Sequence, residues 1–400
     1  MRRLALLLLA CPLFAQTGTQ MSREAIWARH DALVLAAESA PLKQDPSWAH
    51  AFAGSKGQRV RGYDFGPADA PAILWWNGGP GEGFFPGLVT GCLREPMKYR
   101  HLVLDQPGVG DGASQWVEGW KPEDTVEDAV AFLKLRGVRG PVLVAGWSWG
   151  STMALLFAQR HPELCRGVAV GGVWANTPAE AAYYLAPDGT HALMPGMNEA
   201  LAAVAKPADA CGLHGAIARG EGGAAFARAY GDAEAAQCLA TWPMRGPALK
   251  PVADTPGKPV DMAAEKDPAV RFAYIESEMM CRGARGEWAL PMDFPASLAQ
   301  VPLVVIQGRF DQVCDPRTAL RVYGAWPGAR KVFIPLDTSH WPDAPPSEAD
   351  LKAAGLDPSI RPKLRQALAL QTGDGAKMLG AALLTLDAET APKESAPKAR

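Results

Sequence analysis

Val142-Leu143-Val144-Ala145-Gly146-Trp147-Ser148-Trp149-Gly150-Ser151-Thr152 is the stretch that decides the fold. Its first four residues form a short apolar run of the kind that makes a buried strand. Residues 151–160 then read as a helix. Between them, Gly146-Trp147-Ser148-Trp149-Gly150 matches G-x-S-x-G, a sharp strand-to-helix turn with a serine at its apex. Side chains beside that serine would clash, so glycines flank it. The Ser148 Oγ is then left exposed at the start of a helix. The plain alternative is a turn of small residues with no chemistry. The strand before and the helix after are the context the chemical reading requires, so Ser148 is the candidate nucleophile.

Working outward, short apolar runs recur: Ala72-Ile73-Leu74-Trp75-Trp76, His101-Leu102-Val103-Leu104-Asp105, Val168-Ala169-Val170, Leu303-Val304-Val305-Ile306 and Lys331-Val332-Phe333-Ile334. They are continuous rather than alternating, as expected of strands covered on both faces in a parallel sheet. Helical patterns lie between them, near Glu123 to Arg136 and after Asp315-Pro316, which reads as a cap followed by proline at the first helical position. The expected fold is therefore α/β, of the α/β-hydrolase type, a mostly parallel sheet with helices on both faces. The alternation stops between about Trp174 and Pro295, in an Ala- and Gly-rich stretch that reads as an inserted helical cap. The expected organisation is a signal peptide over 1–15, a helical extension over 16–54 with a helix near Arg23 to Ala37, sheet domain over 55–173, cap over 174–296, sheet domain again over 297–385, and a disordered tail over 386–400.

A serine nucleophile needs a base and an acid that orients it. In this fold the chain order is serine, acid, histidine. Of the histidines, only His340, in Asp337-Thr338-Ser339-His340-Trp341, lies beyond the last expected strand. The acid belongs just after the preceding strand, where Gly308-Arg309-Phe310-Asp311 stands, so Asp311 is the choice and Asp315, before Pro316, the competitor. Donors for a developing oxyanion are expected from the turn Asn77-Gly78-Gly79-Pro80-Gly81 after the strand ending at Trp76. Gly78, or in second place Gly79, supplies one N–H and Trp149 the other. Gly108-Val109-Gly110-Asp111-Gly112-Ala113 fits a loose dinucleotide pattern, but no packed helix follows it.

Lys plus Arg total 40 and Asp plus Glu 42, a formal net charge of −2, which does not fit a nucleic-acid binder. Met1-Arg2-Arg3 followed by the apolar run Leu4 to Ala10, with Ala15 beyond, reads as a secretory signal. Leu8-Leu9-Ala10-Cys11 also has the shape of a lipobox, which would make Cys11 a lipid anchor. No other run is long and apolar enough to suggest a membrane span. The seven cysteines show no metal-site spacing, and in an exported chain some would oxidise.

Four segments together resemble the prolyl aminopeptidases, or proline iminopeptidases. They are Asn77-Gly78-Gly79-Pro80-Gly81, Asp105-Gln106-Pro107-Gly108-Val109-Gly110, Gly146-Trp147-Ser148-Trp149-Gly150-Ser151-Thr152 and Gly308-Arg309-Phe310-Asp311-Gln312-Val313-Cys314, with Thr338-Ser339-His340 looking like the family's histidine segment. The resemblance implies removal of an N-terminal residue, usually proline, from peptides, with no metal or cofactor and with a helical cap over the site. It also implies acidic cap residues that bind the free α-amino group. Ala273-Tyr274-Ile275-Glu276 looks like the segment carrying one of them, so Glu276 is the amine-binding candidate. The family's other acid is expected near Trp242, where Pro243-Met244-Arg245 offers none, and the family's histidine before Gly-Gly-Pro-Gly is Asn77 here. The expected substrate is a peptide, or a small ester or amide. The rival readings are a carboxylesterase or amidase with the same triad, and a non-catalytic binding protein on this fold.

Overall fold

The computed structural model describes residues 21–36, 41–109, 112–186, 188–190, 201–202, 204–205, 209–239, 257–340, 357, 359, 363, 366, 369–371 and 373–391. The signal-peptide residues, Cys11, and Trp242 to Arg245 lie outside these. Eight strands make one sheet: β1 (Ala49–Ala53), β2 (Arg59–Phe65), β3 (Ala72–Trp76), β4 (Arg100–Leu104), β5 (Val142–Trp147), β6 (Cys165–Gly171), β7 (Leu303–Gly308) and β8 (Lys331–Leu336). Their spatial order is β1-β2-β4-β3-β5-β6-β7-β8. The sheet is parallel from β4 to β8, and β1 and β2 pair antiparallel at one edge.

The apolar runs behave as their composition requires. β4, β5 and β7 are buried at every residue. Successive side chains point to opposite faces. Leu74, Val144, Val168 and Val305 meet Phe132, Met153 and Phe157 on one side. Ile73, Leu143, Ala169 and Val304 meet Ile26, Met378 and Leu383 on the other. The helices Pro122–Leu135 and Trp149–Arg160 thus cover one face, and Arg23–Leu35 and Gly375–Thr390 the other. Each fully buried Leu, Ile or Phe contributes about 1.5–3 kcal/mol.

Two expected boundaries move. The sheet begins at Ala49, inside the segment read as a helical extension, because Ala49-His50-Ala51-Phe52-Ala53 pairs with β2 as a half-exposed edge strand that needs no apolar run. At the other end, the helix Gly375–Thr390 crosses the boundary at 386. Leu386 is fully buried, and Asp387 accepts from Arg166 at 2.7 Å and from Tyr99 Oη at 3.0 Å. Those contacts hold a stretch whose composition alone suggested disorder.

Between β6 and β7 the described residues form helices and no strand: Pro178–Leu185, Ala210–Ala218, Gly223–Leu239 and Pro268–Ala284. Thr177 and Glu180 close a capping box on the first. Asp209 and Asp267 cap the second and fourth by accepting from Gly212 and Ala269. A disulfide between Cys211 and Cys281 joins the second helix to the fourth. Asn176 Nδ2 donates to Met279 O and Trp288 O at 3.0 and 3.1 Å, tying the start of the insertion to its last helix. No described helix is long and apolar enough to cross a membrane.

Candidate active site

Ser148 stands alone between β5, which ends at Trp147, and the helix that starts at Trp149. Its φ of 58° and ψ of −130° are rare for a residue with a side chain, a strain of order 1–3 kcal/mol that recurs at functional turns. The neighbours hold it there. Ser148 N donates to Gly171 O at 3.0 Å, and Ser151 Oγ donates to Ser148 O at 2.6 Å. A Cβ on Gly150 would lie 2.2 Å from Trp76 O, so the turn closes against the end of β3 only with glycine there.

Asp311 follows β7 and is held by four donors. Val313 N and Cys314 N reach its Oδ1 at 2.9 and 2.8 Å. Gln307 Nε2 donates to Oδ2 at 2.9 Å, and His340 Nδ1 lies 2.8 Å from the same oxygen. With Nδ1 carrying the proton toward Asp311, His340 Nε2 is left as an acceptor. Burial works against a charged His340, but the Asp311 carboxylate, its hydrogen bond, and the charges of Glu234 and Glu82 outweigh it and raise the imidazole's pKa. Asp315, the competing acid, is spent elsewhere: it caps the helix Pro316–Ala325 by accepting from Arg317 N at 2.9 Å and pairs with the Arg317 guanidinium at 2.6 Å. The loops after β7 and β8 run side by side, with Arg309 N donating to Leu336 O and Phe310 N to Thr338 O.

Ser148, His340, Asn77, Gly78, Gly79, Glu82 and Glu234 line one cavity of about 560 Å³, together with the apolar Phe85, Leu88, Trp147 and Phe272. No lysine or arginine is among its described lining residues. Trp149 opens its helix, so its N–H has no intrahelical acceptor. Glu82, of the same loop, lies close to Gly78, where an added Cβ would stand 2.8 Å from Glu82 Oε2. Asn77 is buried beside this loop. Asp311, Cys314 and His340 are the one grouping among the described residues dense enough for a metal, with candidate ligand atoms within 4.8 Å of one another. The Asp311–His340 hydrogen bond already engages two of those atoms.

Glu276 is fully buried in the helix Pro268–Ala284. Its Oε1 accepts from Tyr230 Oη at 3.1 Å. Its carboxyl also meets that of Glu234, from the helix Gly223–Leu239. Burial and then the Glu82 charge push the Glu234 carboxyl up to about 7, against the hydrogen bond from Glu276. Burial, then the charge of Glu234, raise Glu276 as well. Glu234 is the residue that reading the sequence missed. A second acid was expected near Trp242, and it comes instead from the preceding helix. The spacing of Tyr230 and Glu234, four residues apart on one helical face, is the signal that was available.

Asp105, in one of the segments that carried the resemblance, braces the site from below. It accepts from Arg61 Nε at 2.6 Å and from Phe84 N at 3.1 Å, which anchors the loop bearing Glu82. Gln106 Oε1 accepts from Trp149 Nε1 at 2.7 Å.

Residues 71–342 match the family model of the alpha/beta hydrolase fold, and the chain belongs to that family. It is a hydrolase. More particularly, it is similar to the proline iminopeptidase of Arabidopsis thaliana, 27% identical over 303 residues that make up 72% of this chain and 74% of that one. It is also similar to the proline iminopeptidase of Xylella fastidiosa, 28% identical over 280 residues, 67% of this chain and 83% of its relative. A proline iminopeptidase of Neisseria gonorrhoeae is 34% identical over 119 residues, 30% of this chain and 37% of that one.

Proposed function

We propose that the protein is an exported serine aminopeptidase that releases the N-terminal residue of peptides, proline or another small residue, through an acyl-enzyme. The observation that carries this reading is the carboxyl pair of Glu234 and Glu276, of which Glu234 lines the cavity that also holds Ser148 and His340, with no cationic side chain among the described lining residues. A paired acid that keeps one negative charge is suited to a substrate ammonium. The apolar walls from Phe85, Trp147 and Phe272 suit a small ring. Similarity to proline iminopeptidases supports the same substrate class.

In the proposed reaction, Ser148 Oγ attacks the carbonyl carbon of the first peptide bond, and its proton passes to His340 Nε2. Asp311 stabilises the imidazolium. The oxyanion takes the N–H groups of Trp149 and Gly78, with Gly79 as the alternative to Gly78, a kind of contact worth about 10²–10³-fold in rate per donor. His340 then gives its proton to the leaving amine as the C–N bond breaks. Water repeats the sequence on the Ser148 ester, losing a proton to His340, and releases the free amino acid. Export is supported by the charge-then-apolar N-terminus and by the Cys211–Cys281 disulfide, a bond that persists in oxidising compartments.

The test compares proline and alanine arylamides, their N-acetylated forms and short-chain aryl esters, with wild type and Ser148→Ala. Free-amine arylamides should be turned over, N-blocked ones should not, and Ser148→Ala should lose at least about 10³-fold on every substrate. Ester turnover without arylamide turnover would replace this reading with the carboxylesterase one. Absence of any Ser148-dependent turnover would favour a binding role.

A further inference from the structure

Another cavity, of about 930 Å³, opens at the edge of the sheet opposite the active site. Ala72, Arg100, Pro141 and Arg166 line it, at the starts of β3, β4, β5 and β6, together with the loop that follows the helix Pro122–Leu135. Ser148 stands beyond the far end of β5, whose 6 residues span about 20 Å at the usual strand rise. The two cavities are therefore separate. Four arginines, Arg100, Arg136, Arg139 and Arg166, line the second one, and Asp69 is the one carboxylate among its described lining residues.

Two further acids hold these arginines in place without using all their donors. Asp64 serves two of them. Arg100 reaches it through Nε and Nη2 at 2.9 and 2.7 Å, and Arg136 through Nε at 2.7 Å. Arg100 is buried, and it also donates to Ala68 O and Arg136 O. Arg166 gives Nη2 to Asp387 Oδ1 at 2.7 Å. Among the described residues, no acceptor takes the terminal nitrogens of Arg136, Nε or Nη1 of Arg166, or any part of the Arg139 guanidinium. With Asp64, Asp69 and Asp387 counted, four positive charges meet three negative ones.

The surplus is one of charge and of fork-shaped donors, which match paired oxygens of a phosphate or carboxylate. No aromatic side chain is among the described lining residues, so nothing there would stack on a base or ring. Leu135, next to Arg136, is 59% exposed, which also suits a phosphate carried by a lipid headgroup. We infer that this cavity binds a phosphate-type oxyanion in the forks of Arg136, Arg139 and Arg166, apart from the reaction at Ser148. The inference does not rest on the aminopeptidase reading.

The soluble probes are inorganic phosphate and pyrophosphate, titrated by calorimetry and thermal melting against sodium chloride of equal ionic strength. Vesicles of phosphatidylglycerol, with phosphatidylcholine as the neutral control, probe the headgroup. Wild type should bind at least one phosphate source saturably. Arg139 is exposed, so Arg139→Glu should fold as wild type does and weaken that binding by at least about 10-fold. Arg139→Lys, which keeps the charge and loses the fork, should weaken it by a smaller factor. Aryl ester turnover should match wild type in both variants. Binding of soluble phosphates without vesicle retention would assign a free anion, and phosphatidylglycerol retention lost in Arg139→Glu would assign a headgroup. No saturable binding of either source, an equal response to chloride, or binding unchanged in Arg139→Glu would overturn the inference. A parallel loss of ester turnover would overturn the separation from Ser148.

Discussion

Glu234 and Glu276 reach each other from two different helices of the insertion and meet carboxyl to carboxyl, with Tyr230 Oη donating to Glu276 Oε1 at 3.1 Å. Two buried carboxylates in such contact do not both ionise readily, so they titrate as a pair. Below about pH 7 both are therefore protonated and the pair is neutral; above it Glu234 ionises while Glu276 keeps its proton, so the pair carries one negative charge.

This gives a pH dependence with a definite sign. In the proposed reaction His340 must be neutral to accept the Ser148 proton, and its pKa is raised, so turnover of every substrate should fall as the pH drops through that value. Free-amine substrates carry a second dependence. If the pair binds the ammonium as proposed, its protonation removes the negative charge that does so, and their acid limb should be steeper than that of a neutral ester. Their alkaline limb should also fall as the substrate amine itself loses its proton near about 8. Parallel kcat/KM profiles from pH 5 to 9 check this. In Glu234→Gln the extra steepness should vanish, and free-amine turnover should drop by about 10–100-fold, the size expected for a lost charge-assisted hydrogen bond of roughly 1.5–3 kcal/mol. Superimposable acid limbs for amine and ester in wild type would remove the pair from amine binding.

What was legible in the sequence was what neighbours along the chain decide. The strand at Val142, the turn at Ser148 and the helix after it are contiguous, so one local pattern implied all three. Asp311 and His340 each follow a strand directly, and parallel strands bring their C-terminal ends to one edge. That these segments converge followed from counting strands. Glu234 was not legible, because its place depends on how the helix Gly223–Leu239 packs against Pro268–Ala284, and within an Ala-rich helix it resembles a solvated residue. Glu82 in the cavity wall was hidden for a different reason. Its place there comes from a backbone reversal that the glycine turn permits but that the residue types of the turn do not specify. β1 was missed because an edge strand needs pairing partners more than apolar residues.

The Cys211–Cys281 bridge closes a loop of 70 positions across the insertion, and Cys281 lies in the same helix as Glu276. Replacing both cysteines by serine should lower unfolding stability by roughly 2–4 kcal/mol. Urea denaturation under non-reducing conditions measures this, and alkylation followed by mass spectrometry should find Cys211 and Cys281 blocked until reduction. Because Cys92, Cys165 and Cys314 are buried and outside any disulfide, they should label only after unfolding. Labelling of Cys211 in the folded, unreduced protein would show that the bridge does not form.

Gly308 gives the most direct test of how the catalytic loops are held. A Cβ there would lie 2.2 Å from Ser339 O and 2.7 Å from Thr338 O, both backbone atoms of the loop that carries His340. Neither can rotate away, so Gly308→Ala must push the β8 loop from the β7 loop and stretch the 2.8 Å contact between His340 Nδ1 and Asp311 Oδ2. A displacement of about 1 Å in a catalytic group can cost about 10²-fold in rate, and that is the expected loss in kcat on an aryl ester. Gly324 is the control. It lies in the helix Pro316–Ala325, and a Cβ there meets nothing within 4 Å. Gly324→Ala should leave kcat unchanged and raise stability by up to about 1 kcal/mol through helix propensity. If Gly308→Ala keeps both the fold and the wild-type kcat, the two loops have room to move without disturbing His340. The close packing of Gly308 on Ser339 would then not be what positions the base.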